Sequence, residues 1–408
     1  MQITRRHFLT KSTALGCSLA ASPLITPVTF ASTPGENRLI VIILRGGLDG
    51  LDAVRPVGDP DFATLRPDRA RDTRTHDLGG LFALHPAFGP LMPLWTRGEL
   101  GFVHAVSTPY RDKRSHFDGQ DLLEAGTGPD AQGRIRDGWL NRMLQHMPDV
   151  TTQTAYAVGR ADMLLTRGTA PVANWSPDAA LTLSPQAQLL LEQVMHADPL
   201  FRDATLEAIA LSTTDLSQTG MTTDITEGDM LNAMQQNVAT SRKPPSHQAI
   251  AAFAARKLRD DARIAAFSLN GWDTHRNQHK SLPKSLGQLS QTILTLRDGL
   301  GPAWGTTTVV AVTEFGRTAR LNGTAGTDHG TGGVMVLAGG ALKGGQVWTE
   351  WPGLSEAALY GRRDLNPTRD LRAYLGWLMR PLFGIETSTL ERTVFPGVEL
   401  GENPGLIL

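Results

Sequence analysis

Cysteine is almost missing from this chain, and its one copy, Cys17, lies near the amino terminus. Residues 32–408 therefore hold no thiol, which excludes disulfides and cysteine-ligated zinc from that part of the protein. A net charge of -1 leaves no basic excess, so general nucleic-acid binding is excluded. The mild apolar stretch from Ser12 to Ile25 is too short and too interrupted to span a membrane. No repeat period is visible, and no Gly-x-Gly-x-x-Gly follows a strand, so a dinucleotide site is unsupported. What is present is ordinary globular composition, 40% hydrophobic and 19% charged, which suffices for one large domain or two smaller ones.

The first residues read as an address. Arg5-Arg6, then Phe8-Leu9, precede the stretch 12–25 and the small-residue cleavage signal Thr29-Phe30-Ala31. That pattern predicts a twin-arginine signal over residues 1–31, with the twin-arginine translocon as partner and a periplasmic or extracellular destination. This route carries folded proteins, often with a cofactor loaded. The mature chain is expected to have no stable transmembrane span.

Continuous β-branched runs mark buried parallel strands, and the loops after them carry the polar chemistry. Arg38-Leu-Ile-Val-Ile-Ile-Leu44 leads into Arg45-Gly-Gly-Leu-Asp49-Gly-Leu-Asp52, whose aspartates either cap the next segment or bind metal. After the strand 100–106, Ser115 fits a helix N-cap, with Asp118 three residues on. A hydroxyl there is also placed to attack an anionic substrate, near Arg111, Lys113 and Arg114. His116 is the only nearby residue that resembles a general base. His85, before Pro86, reads as a capping residue.

The strand 264–269 ends in Asp273-Thr-His275, with His279 four residues later. An amphipathic helix is predicted over 282–300. The strand through Val312 stops at Glu314, and a glycine-rich loop then carries Asp328-His329. Carboxylate oxygens and neutral imidazoles in such loops suit a divalent ion, zinc or manganese first. The simpler alternative is that these pairs only stabilise turns. The segment around 150–262 reads as a helical insertion over the sheet, with a helix at 186–211 and another at 246–263.

The order of these motifs resembles the domain-of-unknown-function 1501 family of exported proteins. Its carriers are residues 44–52, Ser115-His-Phe117, Gly271-Trp-Asp-Thr-His275, Thr313-Glu-Phe-Gly-Arg-Thr318 and Asp328-His-Gly-Thr-Gly-Gly333. That family looks like a branch of the alkaline phosphatase–sulfatase superfamily. The resemblance implies an α/β, three-layer sandwich around a mostly parallel sheet over 32–408. It also implies a metal-dependent hydrolase of small phosphate or sulfate esters. Residue by residue it suggests Ser115 as nucleophile and Asp49, Asp273, His275, Glu314, Asp328 and His329 as ligands. Arg317 and Arg320 are candidates to hold the substrate anion. Phe315 departs from the pattern, because a histidine ligand is expected there. Either Asp328 compensates, or only one metal binds, or the protein has no hydrolase activity, which leaves two readings open, a hydrolase and a non-catalytic periplasmic binding protein with a degraded site.

Overall fold

The computed structural model describes residues 35–131, 135–148, 150–151, 154–158, 163–175 and 246–408. The signal at 1–31, Cys17 and the helix expected at 186–211 lie outside the described residues, as does most of the expected insertion. The chain divides into two units, Phe30–Val172 with Pro245–Leu408, and Met1–Thr29 with Ala173–Pro244. In the second unit only the short strand 173–175 is described.

The larger unit is an α/β fold built on a mostly parallel central sheet. Its strands are β1 (Arg38–Arg45), β2 (Leu100–Ser107), β3 (Ala155–Val158), β4 (Ile264–Asn270), β5 (Thr307–Thr313), β6 (Gly333–Ala338), β7 (Val347–Trp348) and β8 (Arg369–Asp370). Within this unit the spatial order is β7-β2-β6-β5-β1-β4-β3, and β8 also pairs with β2. β1 pairs in parallel with β4 and with β5, and β3 with β4. β6 alone runs antiparallel, between β5 and β2. The loop 314–332 therefore leaves the sheet and returns to it at one edge. That is also the edge where β1, β2 and β4 end, so four loops meet there.

Five helices bear on the core and on that edge. They are α1 (Gly50–Ala53), α2 (His116–Ala125), α3 (His247–Arg259), α4 (Gln278–Leu300) and α5 (Leu371–Phe383). Leu39, Val41 and Ile43 of β1 pack in one core with Leu371, Leu375 and Leu378 of α5. Ile40, Ile42 and Leu44 point the other way and are also fully buried. The central strand is thus covered on both faces, which is why its sequence is a run rather than an alternation. Among the described residues no helix is long and apolar enough to cross a membrane.

α4 begins at Gln278, four residues before the predicted start at 282. Pro283 suggests a first-turn position, but the side chain of Gln278 anchors the helix earlier. Its amide donates to Asp49 at 2.7 Å and to Asp52 at 2.9 Å. The Gln278 main-chain N–H bonds the Ala325 carbonyl at 2.9 Å. Leu282, Leu286, Leu289, Ile293, Leu296 and Leu300 form the buried stripe as expected.

A buried histidine gives the fold an acid-sensitive point. In β2, His104 Nε2 lies 3.0 Å from the Val54 carbonyl, and Nδ1 accepts the Ala105 N–H at 2.8 Å. These two bonds require the neutral ring with its proton on Nε2. Burial pushes the pKa down to about 4. His85, whose Nδ1 accepts the Ala87 N–H at 3.0 Å, is pushed down by burial to about 4 as well. The unfolded chain then binds more protons between its ordinary value of about 6.5 and the folded value, so stability is lost as pH falls through that window. Denaturant melts from pH 7 to pH 4 should show a decline of about 3 kcal/mol from His104 alone. His104→Gln should flatten the profile. An equally steep profile in that variant would contradict the assignment.

Candidate metal centre

β1 delivers Arg45-Gly46-Gly47-Leu48-Asp49 to the shared edge, and Gly46 decides how closely the loops pack. Its φ is +122°, and a Cβ there would stand 2.5 Å from the Asp273 nitrogen. Only glycine allows the loop after β4 to close over the end of β1. That closure brings Asp273 beside the hairpin-like loop 314–332, in which Arg317 and His329 face each other as an isolated antiparallel bridge.

Four side chains converge on one carboxylate oxygen, Asp273 Oδ1. Arg317 Nη2 lies 2.9 Å away, His275 Nε2 3.1 Å, and His116 Nε2 and His329 Nε2 each 3.5 Å. His275 Nε2 and His329 Nε2 are 2.9 Å apart. The predicted trio of Asp273, His275 and His329 thus stands in one place, and His275 is the imidazole that reaches Asp273, while the side chain of His279 is exposed. His116, which reads in the sequence only as a possible base, is a further member of the cluster. One ligand atom each from His116, Asp273 and His329 lies within 4.8 Å of the others, a spacing that could hold a metal ion.

The remaining candidates have other partners. Asp49, the N-cap of α1, is buried, and its Oδ2 accepts from Arg66 at 2.8 Å and from Gln278 at 2.7 Å. Its Oδ1 accepts the Asp52 N–H at 3.2 Å. Glu314 is also buried: Oε1 accepts from the Gly46 N–H at 2.9 Å, Gln120 at 3.1 Å and His116 Nδ1 at 2.8 Å. Thr313 occupies its Oε2 at 3.0 Å. Asp328 Oδ1 lies 3.1 Å from His275 Nδ1 and accepts from Asn322 at 3.0 Å. These contacts make Glu314 and Asp328 orienting partners of His116 and His275, the carboxylate–imidazole pairing that fixes which ring nitrogen faces a metal. Ser115 is the N-cap of α2, with Oγ 3.4 Å from the Asp118 N–H, and its own N–H donates to the Tyr110 hydroxyl at 2.6 Å. Arg320 is exposed, and it is not among the four side chains that meet at Asp273 Oδ1.

Electrostatics follows the same division. The hydrogen bond to Glu314 raises the His116 pKa against the effect of burial. Burial would raise Glu314, but His116, Gln120 and the Gly46 N–H hold it below its usual value. Burial acts the same way on Asp273, and Arg317, His275 and His116 outweigh it, keeping the carboxylate charged. Burial lowers His329, which favours the neutral ring that a metal needs. His329 Nδ1 lies 2.8 Å from the Arg114 carbonyl, which leaves Nε2 for the cluster.

These residues suit a divalent ion. Two imidazoles and a carboxylate are a nitrogen–oxygen donor set of the kind that zinc accepts. Donor separations in a tetrahedral zinc site are about 3.3 Å, from bonds of about 2.0–2.2 Å. The distances around Asp273 Oδ1 span that value. His116 Nε2 is buried and has no hydrogen-bond partner, as a ligand nitrogen awaiting an ion would be. Phe315, where a histidine is expected, stacks on the His116 ring with centroids 5.1 Å apart. His116 thus brings a nitrogen to the cluster from the neighbouring helix.

The family model for proteins of unknown function (DUF1501) matches residues 101–375. The chain belongs to the DUF1501 family. No curated protein matches it. Among solved structures, this DUF1501 protein is similar to a protein in the alkaline phosphatase superfamily from Vibrio parahaemolyticus. That match has 11% identity and a TM-score of 0.39, and covers 98% of this chain and 80% of the other. It is also similar to the lipoteichoic acid synthase LtaP from Listeria monocytogenes, with 10% identity, a TM-score of 0.40, and 90% and 78% covered. A third is the C-terminal periplasmic domain of EcEptC from Escherichia coli in complex with Zn, with 11% identity, a TM-score of 0.38, and 94% and 96% covered.

Proposed function

We propose that this DUF1501 protein is an exported, metal-dependent hydrolase of phosphate or sulfate esters. The observation that carries the reading is the convergence of His116, Asp273 and His329 beside the enclosed guanidinium of Arg317. A bound divalent ion supplies Lewis-acid polarisation of the ester oxygen. The chain's own residues do the rest. His116, Asp273 and His329 would hold the ion, with His275 adjoining. Glu314 and Asp328 fix the ring orientations of His116 and His275. Arg317 holds the substrate's charged oxygens. Ser115, one residue before His116 and at the start of α2, is the attacking hydroxyl. The free N–H groups of that helix start favour an anion there.

Elemental analysis of protein purified from its exporting host, paired with a panel of phosphate and sulfate esters, tests this directly. Bound zinc or manganese with hydrolysis of at least one ester is the expected result. Ser115→Ala should abolish that hydrolysis while costing only about 1 kcal/mol of stability through the lost cap. Full activity in Ser115→Ala would return the residue to capping alone. Export by the twin-arginine route is tested by Arg5→Lys with Arg6→Lys, which should keep the protein in the cytoplasm. Normal arrival outside the inner membrane would refute that route.

One observation favours the second reading, a binding protein with a degraded site. Asp49 and Glu314, two expected ligands, are both consumed by protein donors. A metal-free protein that binds small oxyanions and hydrolyses none of the esters would establish it.

A further inference from the structure

The loop that brings Ser115 and His116 to the centre passes through an uncommon backbone conformation. Arg114 has φ +54°, in the left-handed region that a residue other than glycine seldom occupies, and its side chain is exposed. That conformation costs energy in an L-residue and persists where neighbouring groups impose it.

Here they act on the peptide that follows. A peptide group is planar, so its C=O and the next N–H turn together. The Arg114 carbonyl accepts from His329 Nδ1 at 2.8 Å. On the other side of the same plane, the Ser115 N–H donates to the Tyr110 hydroxyl at 2.6 Å. Both partners are held in turn by Phe315. Tyr110 is buried and stacks on it with centroids 6.0 Å apart, and the His329 and His116 rings lie 5.0 Å and 5.1 Å from it. Phe315 is thus the common surface against which these three rings pack.

Each bond has a consequence for the centre. A carbonyl oxygen only accepts, so the proton of the neutral His329 ring is fixed on Nδ1 and the Nε2 lone pair is left for an ion. The same plane sets the course of the chain into Ser115, the N-cap of α2.

We propose, resting on the hydrolase reading above, that the peptide joining Arg114 to Ser115 is a positioning clip between the metal centre and the attacking hydroxyl. Its carbonyl selects the His329 nitrogen that faces the ion, and its N–H, held by Tyr110, sets where Ser115 stands. Arg114 acts through its left-handed backbone and not through its guanidinium. Tyr110 acts through its hydroxyl.

The test uses three variants of the full chain, with melting curves to verify that each is folded. Arg114→Gly removes the side chain but adopts positive φ freely, whereas Arg114→Val carries a branched Cβ that disfavours it. Zinc affinity, measured by competition with a chromogenic chelator, should stay within about threefold of wild type in Arg114→Gly and fall about tenfold or more in Arg114→Val. Tyr110→Phe keeps the stacked ring, so it should keep zinc affinity and KM while kcat on the ester falls about tenfold. In metal-stripped wild type, ¹⁵N spectra of the His329 ring should place its proton on Nδ1. Equal zinc affinities in Arg114→Gly and Arg114→Val, an unchanged kcat in Tyr110→Phe, or a proton on Nε2 overturns the clip and leaves the hydrolase reading standing. A wild type that takes up no zinc overturns the hydrolase reading instead, and the ring tautomer, read without metal, then decides the clip by itself.

Discussion

Asp273→Ala will empty the centre and reduce ester hydrolysis on the order of 10³-fold, a loss equivalent to several kcal/mol of transition-state stabilisation. The size follows from how much this one carboxylate does. Its Oδ1 is within 3.5 Å of His116, His275, His329 and Arg317. Without it a bound ion would lose the one carboxylate among His116, Asp273 and His329, and the enclosed Arg317 guanidinium loses its ion-pair partner. Asp273→Asn separates shape from charge: it keeps the volume and should still bind zinc far more weakly. Zinc affinity, measured by competition with a chromogenic chelator, is the readout beside turnover. Wild-type affinity in Asp273→Ala would mean that the ion sits elsewhere.

The largest loss of stability is expected at Arg66, outside the centre. Arg66 is fully buried. It bonds Asp49 at 2.8 Å, the Thr318 carbonyl at 2.8 Å and the Ala319 carbonyl at 2.9 Å. It therefore ties the segment after β1 to the loop between β5 and β6. Removing one partner of a buried pair leaves an uncompensated charge, which costs about 3–5 kcal/mol. Against a typical total of about 5–15 kcal/mol, Arg66→Ala should be barely folded at room temperature or lose a large part of its denaturation midpoint. Asp49→Asn should be milder and should keep the wild-type zinc count. Loss of the ion in Asp49→Asn would make Asp49 a ligand, as the superfamily pattern implies, and would displace the structural role given to Arg66.

The sheet was legible because its strands are buried on both faces. Runs such as Leu39–Leu44 and Val309–Val312 have no other easy reading, and each ends where a polar loop begins. The proximity of Asp273, His275 and His329 followed from the same logic, since parallel strands present their carboxyl ends together. The direction of β6 was not legible: an apolar run from Val334 looks the same whichever way it crosses the sheet. The place of His116 in the cluster was not legible either, because a histidine in the first turn of a helix carries no signal of what its ring faces. Its adjacency to Ser115 was the one available clue. Asp49 and Glu314 looked like ligands by position. Arg66, which closes Asp49, comes from a segment with no motif, and nothing in the sequence said that Glu314 would be taken by Gly46, His116 and Gln120 from the other loops.

The most direct test of the centre is a crystal of the full chain soaked with Zn²⁺ and measured at the zinc absorption edge. One anomalous peak is expected, about 2.0–2.2 Å from His116 Nε2, His329 Nε2 and an Asp273 oxygen. A peak bound by Asp49 and Glu314 instead, with His116 turned away, would contradict a centre built on Asp273.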